Sequence, residues 1–157
     1  MTVITHPRRK SRLAGMIDSP GGISVGVALE QARANIEGLR GRAMAVVDAG
    51  IAALEATPAP TSLAETPARL DQVYRAATSL LDAAGPFEMF DLCRAAAGLC
   101  DLIGAIDPEQ PFDWRIVTVH ARSLQLLQSL PPGAVDERAR ILDSLNEVIE
   151  RKLTQPG

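Results

Sequence analysis

Large aromatic side chains are scarce: one Trp, one Tyr and three Phe in 157 residues, 3% of the chain. A core with so few rings must be filled by aliphatic and small side chains, and alanine-rich filling favours helices over sheets. Cysteines number two and histidines two. Cys93 and Cys100 lie seven residues apart in one helical pattern, about 10 Å along the axis, too far for a disulfide without breaking the helix. They read as reduced core thiols, because no second Cys or His cluster completes a metal ligand set. His6 stands beside Pro7 and His120 within VTVHARS, so there is no Ser-His-Asp triad, HExxH zinc motif or Cys-His pair recognisable from spacing. Gly21-Gly22 lacks a following Gly-Lys-Ser/Thr or GxGxxG context, which removes the phosphate-cradling loops. A non-enzyme with no cofactor and no metal is expected.

Long apolar runs are missing too. None approaches the roughly 20 residues of a membrane span, and no signal-peptide core follows the N-terminal basic cluster, so a cytoplasmic protein without membrane attachment is expected. The net charge of −3 argues against a nucleic-acid partner. That charge is unevenly spread: residues 1–23 hold Arg8, Arg9, Lys10 and Arg12 against Asp18 alone, leaving +3 on this segment and −6 on the remainder. The segment reads as a basic, flexible arm ending at Ser19-Pro20-Gly21-Gly22. A sharper reading docks RRKSR onto an acidic partner or onto the chain's own acidic body. Residues 24–157 read as one helical domain, a length that suits a single core.

What the sequence has in place of motifs is helical periodicity. From Ser24, apolar or small residues recur at intervals of three and four: Val25, Leu29, Ala32, Ile36, Leu39, Ala43, Val46, Gly50 and Leu54. The glycines along this stretch weaken a free helix by about 1 kcal/mol each relative to alanine, so it needs a neighbour, in a bundle or in a homodimer paired through helix 25–54. After the proline-rich TPAPTSLAETP, Thr66-Pro67 supplies an N-cap and a first-turn proline. The next helix presents Leu70, Val73, Ala77, Leu80, Leu81 and Ala84 to a core and ends at Gly85-Pro86. A third, from about Phe87 to Gly104, is expected to bury Phe90, Cys93, Ala97 and Cys100, with Leu92, Leu99 and Ile103 alongside. Asp107 to Pro111 forms a turn. A fourth spans about Asp113 to Leu130 with Trp114, Val117, Ala121, Leu124 and Leu127 in register. The last runs from Val135 to Leu153 through Ala139, Leu142, Leu145, Val148, Ile149 and Leu153. No strand alternation competes, so the fold class is all-α: an antiparallel up-down four-helix bundle with an additional long N-terminal helix.

Within the second helix, VYRAATSLLDAAGPF displays Asp71, Arg75, Thr78 and Asp82 at i, i+4, i+7 and i+11, a water-facing stripe opposite the apolar side. Thr78 is expected to be displayed, not buried. This stretch resembles the histidine phosphotransfer (HPt) domain, most closely its alphaproteobacterial variants, in which a tyrosine-led helix carries His-Asp-Ile-Lys-Gly, small residues and then Thr-Phe-Gly. Aligned without gaps, the phosphoacceptor histidine falls on Thr78, its acidic neighbour on Ser79, the apolar residue on Leu80, the lysine on Leu81, the glycine on Asp82 and the phenylalanine on Phe87. LCDLI at 99–103 is similar to the family's SLCxLL helix, VHARSLQLL at 119–127 to its AHVDALRxI helix, and ILDSLNEVIERKL to its closing helix. The resemblance covers about Gln31 to Leu153.

The departures have consequences of their own. Threonine cannot carry the phosphoramidate that histidine forms, Leu81 supplies no cation to offset phosphate charge, and Asp82 adds a negative charge one turn away. The resemblance therefore implies a pseudo-HPt adaptor in two-component or chemotaxis signalling. Its partner would be a response-regulator receiver domain or a histidine kinase, bound without relay of phosphate. The partner-binding patch would comprise Arg75, Thr78, Ser79, Leu81, Asp82, Glu88 and Arg94, with Leu81 as apolar anchor, so that Leu81→Asp weakens binding and spares the fold. RRKSRLAGMIDSPGG ahead of a helical body also resembles the small accessory proteins of alphaproteobacterial chemotaxis clusters called CheE. His120 reads as a packing histidine. Its other reading is an alternative phosphoacceptor, since imidazole both accepts a phosphoryl group and titrates near neutrality.

Overall fold

The computed structural model describes residues 21–107 and 112–154, without the side chains of Leu153 and Thr154. The arm through Pro20, the turn residues 108–111 and the packing of Leu153 lie outside the described residues. Two units are distinguished, Met1–Gly38 and Leu39–Gly157.

Among the described residues every regular element is helical: α1 Val25–Ala56, α2 Thr66–Ala84, α3 Phe90–Ala105, α4 Arg115–Ser129 and α5 Val135–Thr154, with single 3-10 turns at Leu63–Glu65 and Gly85–Phe87. Ser24 caps α1, its hydroxyl accepting the Val27 amide at 3.3 Å. Of the expected seam of α1 only Gly50 and Leu54, near its C-terminal end, are buried; Val47 and Ile51 join them there, while Val46, expected on the seam, is 41% exposed. There Gly50 allows close approach: a Cβ would stand 3.4 Å from the Ala76 carbonyl oxygen and 3.5 Å from the Leu80 Cβ of α2.

α2 buries Leu70, Val73, Ala77, Leu80 and Ala84 as its period predicts. Its start differs from expectation. Thr66 is buried within the first turn and makes no cap; the preceding 3-10 turn is held by the Glu65 carboxylate, which accepts the Thr61 amide at 3.1 Å and the Thr61 hydroxyl at 3.0 Å. Its end falls at Ala84, before Gly85-Pro86, as expected. Gly85 keeps right-handed dihedrals, and the left-handed residue is Glu88, with φ 57°. The Glu88 amide donates to the Gly85 carbonyl and the Met89 amide to that of Ala84, closing the turn into α3.

α3 packs against α2, α4 and α5. Its buried face is Leu92, Ala95, Ala96, Leu99 and Leu102, which corrects the expected phase: Cys93, Ala97 and Cys100 are half-buried, and Phe90 is 64% exposed. Gly98 takes the tightest approach in this region, where an added Cβ would lie 2.7 Å from Ile149 Cδ1 of α5. α4 buries Ile116, Val117, His120, Ala121, Leu124 and Leu127, while Trp114 is half-buried and meets Phe112 edge to face at 5.2 Å. From α5 only Leu142 and Leu145 reach the core fully; Ile141, Val148 and Ile149 are half-buried, and Ala139 is exposed.

Two polar ties join helix ends. Arg138 of α5 donates from Nε to Asp91 Oδ2 in the first turn of α3 at 2.6 Å, and from Nη1 to the Leu127 and Leu130 carbonyls at 2.8 and 2.9 Å. One guanidinium thus satisfies carbonyls that the end of α4 leaves unpaired and neutralises a carboxylate at the start of α3. At the start of α4, Asp113 accepts the Arg115 amide at 3.1 Å, forms a two-pronged pair with its guanidinium, and lies 3.5 Å from Lys152 Nζ of α5.

Candidate functional site

The residues aligned with the phosphotransfer site lie on α2 and at its junction with α3. Thr78 departs from the displayed position expected of it. It is half-buried, its hydroxyl donates to the Tyr74 carbonyl at 2.9 Å, and Cys100 Sγ of α3 lies 3.9 Å away. Either atom can donate across that gap, and a hydroxyl proton turned toward the sulfur favours the thiolate. Threonine fits between the helices by this means: it is small, and the carbonyl one turn back satisfies its polar atom.

The rest of the patch divides by depth. Arg75, Ser79, Asp82, Glu88 and Arg94 are exposed. Arg75 is held by Asp71 one turn earlier, Nε to Oδ2 at 2.8 Å. Leu81, expected both on the apolar side and as an apolar anchor at the edge of the stripe, is half-buried and packs against the core, so Leu81→Asp would damage packing as well as any surface. The apolar side chain that α2 does offer to water is Tyr74, 45% exposed and one turn before Thr78. Sequence reasoning gave Tyr74 no role at the site; its place four residues before Thr78 on the same stripe was the available signal. Glu88 is brought to the surface by the left-handed turn, and the Phe87 ring beside it lies under the Arg40 guanidinium of α1 at 4.8 Å. Thr78 and Cys100 are brought into contact across the α2 and α3 pair.

The thiols are poorly suited to chemistry. Burial raises the pKa of both Cys93 and Cys100; at Cys100 the Thr78 hydrogen bond opposes this and Asp101 adds to it, so both stay protonated at neutral pH. Among the described residues no group of three or more His, Cys, Asp or Glu side chains is placed to hold a metal ion, and no helix is long and apolar enough to cross a membrane.

His120 lies elsewhere, on α4, with no exposed surface. Its Nδ1 is 2.9 Å from the Ile116 carbonyl, which fixes that nitrogen as the donor, and Nε2 has no hydrogen-bond partner. Burial lowers its pKa, with the carbonyl contact opposing, so the ring is neutral at pH 7. An imidazole enclosed in this way meets a phosphoryl donor only if α4 separates from its neighbours. Comparison of the chain with protein-family models, curated proteins and solved structures finds no match.

Proposed function

We propose that this protein is a non-catalytic, HPt-like adaptor that binds a response-regulator receiver domain or a histidine kinase through the exposed face of α2 and its junction with α3. In this reading α2 to α5 form the antiparallel up-down bundle characteristic of HPt domains. The observation that carries it is Thr78: the position aligned with the phosphoacceptor holds a half-buried threonine whose hydroxyl is committed to the Tyr74 carbonyl. Around it Tyr74, Ser79 and Asp82 remain exposed, a tyrosine ringed by polar groups of the kind that anchors protein interfaces. The burial of His120 disfavours a relay through that residue.

The test is a binding and transfer assay with purified receiver domains and kinase, with and without ATP. A complex that forms without label on this chain, and that Tyr74→Asp weakens at least tenfold with an unchanged circular dichroism spectrum, is the expected result. Label that reaches the chain and is lost in His120→Gln would overturn the reading.

A further inference from the structure

Among the described residues the buried side chains are apolar with two exceptions, Thr66 and His120, and only His120 is ionisable. It stands near the middle of α4, and the polar ties from α4 to other helices lie at its two ends. Ahead of the helix, Asp113 lies 3.5 Å from Lys152 Nζ of α5. At the other end Gln128 donates to Asp48 Oδ1 of α1 at 2.5 Å, and Arg138 of α5 donates to the Leu127 and Leu130 carbonyls. Between these ends Ile116, Val117, Ala121 and Leu124 hold the helix by apolar burial.

No counter-charge stands against the ring. On the helices around α4 the ionisable side chains that are not exposed are few, and each is committed elsewhere. Arg69 of α2 donates to Gln72, and Asp91 of α3 pairs with Arg138 of α5. Cys93 and Cys100 of α3 are kept protonated by burial. Just before α4, Asp113 is held by Arg115 and Lys152. The other described carboxylates and cations of α1, α2, α3 and α5 are exposed. None of these groups is bonded to the imidazole, whose Nδ1 meets the Ile116 carbonyl and whose Nε2 has no partner among the described residues.

We propose that His120 is a proton-operated latch: a proton taken up from water at Nε2 expels the ring from the core and releases α4 from α3 and α5, while α2 and α3 stay paired. With Nδ1 already donating, the added proton turns Nε2 into a second donor and places a full charge among apolar side chains. An unpaired charge in a core is relieved only by hydration, so the ring must reach water. α4 is the element that yields, because its centre has no polar tie and Pro131-Pro132-Gly133 breaks the chain behind it. The α2 and α3 pair is instead closed by its own turn, through the Glu88 amide on the Gly85 carbonyl and the Met89 amide on that of Ala84. Release brings Ile116, Val117, Leu124 and Leu127 to water, an apolar face that stays covered at neutral pH. This inference does not depend on receiver binding.

Hydrogen exchange of the full chain, read peptide by peptide and corrected for the intrinsic rate, tests it. An opening that takes up one proton on an imidazole titrating near about 6.5 once exposed becomes about tenfold more populated between about pH 7.5 and 5.5. Protection of residues 116–127 should fall by that factor. At the lower pH these residues should also be at least about tenfold less protected than the buried positions of α2 and α3, as a separate partial opening requires. His120→Leu and His120→Gln both remove the charge, one with an apolar side chain and one still able to donate to the Ile116 carbonyl. In either, the fall should vanish. Equal protection of α2, α3 and α4 at both pH values, the mark of a single global opening, overturns the release of α4; a fall that persists in the variants overturns the part given to His120.

Discussion

Arg138 offers the sharpest perturbation of the fold. Arg138→Met keeps much of the aliphatic stem and removes the guanidinium, leaving the Asp91 carboxylate and the Leu127 and Leu130 carbonyls without their shared donor. Breaking a fully buried pair from one side costs about 3–5 kcal/mol. Here Arg138 is 14% exposed and Asp91 33%, so water takes over part of the carboxylate's solvation and the ionic part falls to about 1–2 kcal/mol. Two carbonyls losing a charged donor add about 1 kcal/mol more, for a total of about 2–3 kcal/mol. Urea unfolding followed by far-ultraviolet circular dichroism, at fixed protein concentration, reads this as a lower midpoint with unchanged slope. Asp91→Asn should cost about half as much, and the double variant should cost less than the sum of the two, because the lost pair is counted once. A stability for Arg138→Met within about 0.5 kcal/mol of wild type would refute the account, since that is the range of ordinary surface substitutions.

Further expectations follow from single features. His120 has a folded pKa below its unfolded value, so its contribution is complete above about pH 6.5 and is lost as pH falls through that value toward the folded pKa. Urea midpoints measured between pH 7 and 5 should therefore fall with pH in wild type and fall less steeply in His120→Leu. Asp113, held at about 2 by Arg115, burial opposing and Lys152 assisting, loses its contribution between about pH 4 and 2. Discounted for the exposed Arg115, that is on the order of 1 kcal/mol, and Asp113→Asn should remove this lower step alone. Glu88→Gly relieves a left-handed residue and should raise stability by up to about 1 kcal/mol, read as a melting temperature about 2–4 °C higher. Gly98→Ala sets a Cβ against the tip of Ile149 and should change stability little, packing loss offsetting a helix gain of about 1 kcal/mol; combined with Ile149→Val the gain should emerge in thermal melts.

The helices were legible in the sequence wherever polar and apolar positions alternate cleanly. α2 is such a case, and five of its six expected core positions are buried, Leu81 being the half-buried exception. α3 was legible as a helix but not in phase. Between Leu92 and Leu102 nearly every side chain is small or apolar, so two faces satisfy the period; reading by individual hydrophobicity selects Phe90 and the cysteines, whereas packing selects the leucines and the alanines between them. For α1 the period identified a face but not how much of it a neighbour covers, because periodicity reports direction around an axis and not distance along it. The Arg138 tie joins residues 47 apart, and no local pattern signals such a pair. At the candidate site, the exposure of Arg75, Ser79, Asp82, Glu88 and Arg94 accords with polar residues on a stripe, while the placement of Thr78 depends on its size and on a bond to its own backbone.

That α1 buries only its C-terminal end also bears on where the helix opens. Residues 25–43 hold no fully buried side chain, so their backbone hydrogen bonds can break without disturbing the core, whereas opening from Val47 onward must pull Val47, Ile51 and Leu54 out of it. Amide exchange should therefore divide one continuous helix into an N-terminal part that exchanges early and a C-terminal part protected nearly as long as the body. A protease added to the folded protein should cut the first part and spare the second.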